Sequence, residues 1–203
     1  MGQLKDHFYN NAIKSAEDIK ALIKEHGETV IDNVTLSQVY QGMRGIVGLV
    51  TETSLLDSNE GIRFRGFSIP ELVEKLPHAE GGSQPLPEGL FHLMLIGEIP
   101  TEEDVDHLSA VFARRSHVPN YVFDAIEALP LHTHPMTQFS IAIMALQTES
   151  LFAKAYGEGI NKKEYWNYIY EDTMNLIARL PRIAAYIFRR KYRNGDHIQP
   201  NGM

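Results

Sequence analysis

Apolar residues recur every three or four positions through most of the chain, the signature of amphipathic helices. Leu4, Phe8, Ala12, Ile13, Ala16, Ile19, Leu22 and Ile23 form one stripe, and Gly27 stands where a left-handed cap would close that helix. Thr35-Leu36-Ser37-Gln38 has capping-box spacing and predicts a short helix reaching about Gln41. From Gly45 to Arg65 the helical period disappears. Residues 50–56 are rich in β-branched side chains, Asp57-Ser58-Asn59-Glu60-Gly61 is turn chemistry, and Ile62-Arg63-Phe64-Arg65 alternates apolar with basic. Together they predict one β-hairpin. Ser68-Ile69-Pro70-Glu71 then opens a helix with Leu72, Val73 and Leu76 on its apolar face, stopped at Leu76-Pro77.

Residues 78–87 are rich in Gly and Pro and read as a surface loop within one domain. Helices are expected from Leu90 to Ile96, from the acidic Thr101-Glu102-Glu103-Asp104 turn onward, and from Pro119 to Leu129. Met136, Phe139, Ile141, Ile143, Met144 and Leu146 cover most of one further helix, which places it at the centre of the domain. Asn161 caps a helix carrying Trp166, Ile169, Met174, Ile177 and Leu180, and Pro181 starts or kinks a last one through Ile183, Ile187 and Phe188. The fold class is mainly α with one small embedded β-hairpin.

Composition narrows the chemistry. The 203 residues contain no cysteine, which excludes disulfides, thiolate metal sites and cysteine nucleophiles. With 19 basic and 26 acidic side chains the formal net charge is −7, which argues against non-specific binding of nucleic acid or of an anionic membrane. No secretory signal or transit peptide is visible, and Met1-Gly2 lacks the Ser or Thr at residue 6 that myristoylation favours, Asp6 standing there instead.

No P-loop, Rossmann glycine pattern, His-Glu-x-x-His or nucleophile elbow occurs. His132 and His134 have no acidic residue nearer than Glu127, which favours a loop whose His134 hydrogen-bonds a backbone end over a metal site. Arg44, within Gly42-Met43-Arg44-Gly45, has small neighbours that would let an anion approach the backbone. Arg63 and Arg65 could hold phosphate or pair with Glu52 or Asp57 across the hairpin. Asn161-Lys162-Lys163 at a helix N-terminus could cradle phosphate or be solvated. Arg189, Arg190, Lys191 and Arg193 complement a helix C-terminus. Read alone, the residues stop at a helical domain with anion-binding candidates and no catalytic machinery.

The order of longer motifs goes further. Tyr40-Gln41-Gly42-Met43-Arg44-Gly45, Glu52-Thr53-Ser54, Gly61-Ile62-Arg63-Phe64-Arg65-Gly66, Pro85-Leu86-Pro87-Glu88-Gly89-Leu90-Phe91, Gly97-Glu98-Ile99-Pro100-Thr101, His134-Pro135-Met136 and Tyr165-Trp166 with Ile169-Tyr170-Glu171-Asp172 closely resemble eukaryotic-type citrate synthase. The resemblance runs from about residue 17 to the end. It implies a nearly all-α homodimer with a large and a small domain, condensing acetyl-CoA with oxaloacetate to citrate and CoA in the mitochondrial matrix. It further implies that residues 1–203 are the N-terminal part of the large domain, with the small domain and C-terminal segments absent.

The family's catalytic histidines sit in Pro-Leu-His-Gly and Gly-Tyr-Gly-His motifs, with a catalytic aspartate further on, and neither motif occurs here. No catalytic residue and no metal ligand is therefore assigned, and the chain is expected to be inactive alone. No cofactor is expected to be held permanently. Arg44 matches a family arginine that contacts CoA phosphate, and Lys162 falls where a second basic CoA contact, usually Arg, is found. The alternative is a non-catalytic helical interaction module derived from the same fold.

Overall fold

The first apolar stripe forms α1, Gly2–His26, in the computed structural model, which describes residues 2–198. Met1 of the Met1-Gly2 start and residues 199–203 lie outside the described residues. The chain divides into two units, Met1–Asp106 and His107–Met203. The Gly/Pro-rich stretch 78–87 lies inside the first, as a loop closed by a bridge between His78 and Pro85.

In the first unit, Asn11 Nδ2 ties α1 down by donating to the Ile96 carbonyl at 3.1 Å. The far end of the stripe is left open: Ile19, Leu22 and Ile23 are exposed. Gly27 does not adopt the expected left-handed cap. Its N–H donates to the Ile23 carbonyl at 2.9 Å, and a Cβ there would collide with that same oxygen. Close approach, and not positive φ, requires the glycine. The Thr35–Gln38 capping box forms in both directions and starts α2, Leu36–Tyr40.

The hairpin forms as β1, Ser54–Asp57, and β2, Gly61–Phe64, antiparallel with Ser54 opposite Phe64. A third strand, β3 (Phe67–Ser68), joins β2 after a turn in which Arg65 (φ 48°) and Gly66 (φ 87°) are left-handed. Two residues are too few to show a period-2 pattern, so the sequence holds no sign of this strand. Ser68 and Glu71 then cap α3, Ile69–Lys75, reciprocally. Helix α4, Pro87–Ile96, ends at Gly97 with φ 91°, a conformation that costs an L-residue about 1 kcal/mol or more. Leu72, Leu76 and Leu93 form the core of this unit, with Phe64, Phe67, Leu90 and Ile99 packed against it. Helix α5, Glu102–Arg115, carries three acids in its first turn.

The second unit holds α6 (Asn120–Glu127), α7 (Pro135–Ala145, continued by a 3-10 turn), α8 (Leu151–Gly157) and α9 (Tyr165–Tyr192). Two expectations are corrected here. Pro181 does not start a separate helix but lies inside α9; the buried face of Tyr170, Met174, Ala178, Ile183 and Ile187 continues through it. Helix α7 is not enclosed, since Met136 is 60% and Met144 73% exposed.

An all-round apolar helix has no hydrophobic reason to choose a face. The face of α7 that is buried carries Gln138 and Ala142, both at 0% exposure, and Gln138 Oε1 accepts from Arg190 Nη1 at 3.2 Å. Arg190, itself only 8% exposed, also donates to Glu127 Oε2 at 3.1 Å and to the Leu129 carbonyl at 2.7 Å. Gln138 Nε2 donates to the Thr133 carbonyl at 2.8 Å. The polar cluster borders the core of Val118, Val122, Ile126, Ala142, Leu146, Ile183 and Ile187.

Replacing Arg190→Ala leaves the buried Gln138 oxygen without its donor and takes the guanidinium from the Leu129 carbonyl and the exposed Glu127 carboxylate, and we expect a loss of about 1–3 kcal/mol, measured by urea denaturation. A second expectation concerns acid. The Ser68 hydroxyl, and after it the Ser68 amide, hold the Glu71 carboxyl below its ordinary value. A depressed folded value gives stability above the unfolded carboxylate range that is lost as pH falls through the folded one. Glu71→Gln keeps a capping acceptor but removes the titration, so the variant loses less stability than the parent between neutral and acidic pH in thermal melts.

Candidate functional site

The two residues matched to CoA contacts sit in different units, Arg44 in the first and Lys162 in the second. Arg44 follows α2 in a turn built from left-handed residues: Gly42 (φ 75°), Met43 (φ 63°) and Gly45 (φ 72°). The turn is held by the Met43 N–H on the Gln38 carbonyl at 2.9 Å and the Gly42 N–H on the Val39 carbonyl at 3.2 Å. A Cβ on Gly42 would meet nothing within 4 Å. The glycine therefore serves the backbone turn and leaves the space beside it open. The Arg44 side chain is exposed, with no ion pair among the described residues.

Lys162 begins a 3-10 turn, Lys162–Glu164, that precedes α9, so the expected direct helix start is displaced by one short turn. Asn161 caps it as expected, Oδ1 accepting from the Lys163 N–H at 2.9 Å. Lys162 and Lys163 are exposed. Asp172 on α9 pins the start of α8, its carboxylate accepting from the Ser150 hydroxyl at 2.6 Å, the Leu151 N–H at 2.8 Å and the Phe152 N–H at 3.0 Å. Phe152, Tyr156 and Tyr165 then form an aromatic triangle with centroids 5.1–6.0 Å apart. Sequence reading missed α8 and this cluster, although Phe152 and Tyr156 stand at i, i+4 spacing.

The other anion-binding candidates are committed within the fold. Arg63 is bonded to Glu60, lies 3.6 Å from Glu71 and donates to the Gly66 carbonyl at 2.9 Å. The salt-bridge reading thus holds with partners other than Glu52 and Asp57. Asp57 instead accepts from the Asn59 and Glu60 amides, at 2.7 and 2.8 Å, and these amides, Glu60 first, hold its carboxyl below the ordinary value. Arg65 lies beyond the end of β2 and donates twice to the Met94 carbonyl, at 3.2 and 2.8 Å. His134 Nδ1 accepts from the Met136 N–H at 3.2 Å and caps α7, the backbone hydrogen bond that the sequence favours. His92, which sequence reading passed over, is 7% exposed, and burial pushes its imidazole below the ordinary value. Arg189 and Arg190 do more than complement the end of α9: Arg189 clamps Asp196 at 3.0 Å, and Arg190 is the buried hub. Arg190 stands three residues after Ile187 and seven after Ile183, on the buried face, and that spacing was the available signal.

The family model described as "Citrate synthase, C-terminal domain" matches residues 42–203. The chain belongs to the citrate synthase family. It is 56% identical to the mitochondrial citrate synthase of Aspergillus niger over 95% of its own length and 40% of that protein. It is also 55% identical to the mitochondrial 2-methylcitrate synthase of Yarrowia lipolytica, over 96% of the chain and 42% of the relative. The chain thus spans about 40% of the length of these family members. Among solved structures, citrate synthase from Pyrobaculum aerophilum aligns with a TM-score of 0.64 at 22% identity, covering 80% of this chain and 38% of that one. The Thermoplasma acidophilum enzyme, solved as a ternary complex with carboxymethyl coenzyme A and oxaloacetate, aligns at 0.59 and 19%, covering 79% and 38%. At such identities the structures establish the shared helical fold.

Proposed function

We propose that residues 1–203 form the N-terminal part of the large domain of a citrate synthase, which condenses acetyl-CoA with oxaloacetate to give citrate and CoA. The observation that carries this reading is the family match across residues 42–203. Within that protein the role we assign to these residues is framework and CoA binding. Arg44 presents a guanidinium from an open glycine turn, suited to bidentate phosphate contact. Lys162 presents an ammonium at a capped turn; it keeps the charge of the arginine usual at that place but loses its fork. The acid–base groups for enolisation and for attack on the ketone belong to the Pro-Leu-His-Gly and Gly-Tyr-Gly-His motifs, which residues 1–203 do not contain. These residues alone therefore bind without turning over. By the same reading the protein works as a homodimer in the mitochondrial matrix.

Calorimetry with CoA tests the binding role. We expect weak binding, reduced about tenfold by Arg44→Ala through the loss of charge-assisted hydrogen bonds, with a smaller loss for Lys162→Ala. No binding at millimolar CoA would overturn that role, and thiol release from acetyl-CoA and oxaloacetate by the 203 residues alone would overturn the inactivity. The exposed Val30, Ile31, Leu36, Tyr40, Leu49 and Val50 favour a covered surface over a free-standing module. Light scattering is expected to show self-association. A monodisperse monomer would favour the helical interaction module instead.

A further inference from the structure

We propose that Asn194-Gly195, in the turn that follows α9, is a deamidation site that the fold holds closed. Asn194 is exposed, and its carboxamide has no hydrogen bond among the described residues. Gly195 has no side chain to shield its backbone nitrogen, and a Cβ added there would meet nothing within 4 Å. The reaction is intramolecular. The Gly195 nitrogen, on losing its proton, attacks the carboxamide carbon (Cγ) of Asn194, the bond from Cγ to Nδ2 breaks, and ammonia leaves. Water then opens the resulting five-membered imide at either carbonyl, giving an aspartyl or isoaspartyl linkage. No oxidant or further co-reactant is needed.

The gate is visible in the same turn. The Gly195 N–H donates to the Arg189 carbonyl at 3.2 Å, and the Arg193 N–H reaches the same oxygen at 2.9 Å. Asn194 (φ 52°) and Gly195 (φ 73°) are both left-handed, the conformation that this helix-ending turn requires. The Arg189 guanidinium reaches over the turn to the Asp196 carboxylate at 3.0 Å and also bonds the Asp196 carbonyl. The nucleophilic nitrogen is therefore held as a donor to the last turn of the helix, and its proton is engaged there. Reaction waits for local opening.

Modification weakens its own gate. A carboxylate formed at position 194 competes with Asp196 for Arg189, and an isoaspartyl linkage adds a methylene to the backbone, displacing the Gly195 N–H from its acceptor. His197, stacked on Tyr186 with centroids 3.9 Å apart, is the next contact to be released.

Peptide mapping by mass spectrometry, on the 203-residue protein held in mildly alkaline buffer with and without urea, tests the proposal. The second Asn-Gly pair, Asn201-Gly202, lies outside the described residues and reports in urea that the chemistry proceeds. We expect loss of the Asn194 amide in urea and a rate about tenfold lower in the folded protein, the ratio reporting local opening. Asp196→Ala removes an exposed side chain and half of the clamp, and is expected to raise the folded rate while circular dichroism keeps its helical signal. Equal rates in the two conditions, no reaction at Asn194 in urea while Asn201 reacts, or a folded rate unmoved by Asp196→Ala would each overturn the proposal.

Discussion

The second unit is organised around a buried guanidinium. An arginine removed from water is tolerated only when its donors find acceptors with good geometry, and Arg190 meets that demand with the Glu127 carboxylate, the Gln138 amide oxygen and the Leu129 carbonyl. Those acceptors belong to the end of α6, to α7 and to the segment between them. Satisfying one side chain on α9 therefore fixes the relative placement of three helices. Glu127 is shared further, accepting from the Tyr186 hydroxyl at 2.8 Å. Burial, and after it the hydrogen bond to Glu127, pushes that phenol up to about 12, so it remains a donor throughout the physiological range.

This constraint also explains where sequence reading of the fold succeeded and where it failed. Local codes were legible: the Thr35–Gln38 and Ser68–Glu71 boxes, the Asp57–Gly61 turn, the Gly97 stop and the Asn161 cap each depend on atoms within a few residues of one another. The burial of α7 was not. Its apolar residues run all the way round, and the choice of face was made by Gln138 through a partner 52 residues away. Pro181 was misread for a related reason. A single missing donor is a local penalty, and the buried face of α9 outweighs it. Helix α8 was overlooked because a seven-residue segment carries little periodicity, and its N-terminus is held by Asp172 from another helix.

The candidate site divides along the same line. Composition and spacing could not separate Arg44 from Arg63 and Arg65, since all three lie beside glycines and turns. The structure separates them by what each already touches. Arg63 is enclosed by Glu60 and Glu71, and Arg65 is bound to the end of α4. Both stabilise the small sheet and its junction with helices, and each guanidinium is held in place by those contacts. Arg44 extends from a turn whose backbone hydrogen bonds are satisfied locally. Its assignment to CoA came from motif order, and the turn supplies a physical reason for the glycines that flank it.

Charge balance gives that contrast its weight. In a protein with formal net charge −7, carboxylates are plentiful, and an arginine with acids nearby in sequence tends to find one. Arg63 does so three residues away, and Arg115 does so across helices, 2.8 Å from Glu171. The segment from Thr35 to Thr51 contains no acidic residue, so Arg44 has no local counter-ion to draw it back onto the protein surface. Lys162 differs, because Glu164 is close in sequence; its availability rests on the Asn161 cap, which orients the turn through a neutral amide and leaves the ammonium in solvent. A phosphate ligand would therefore recover the full charge interaction at Arg44 without displacing a carboxylate, and a smaller one at Lys162, where Glu164 opposes it.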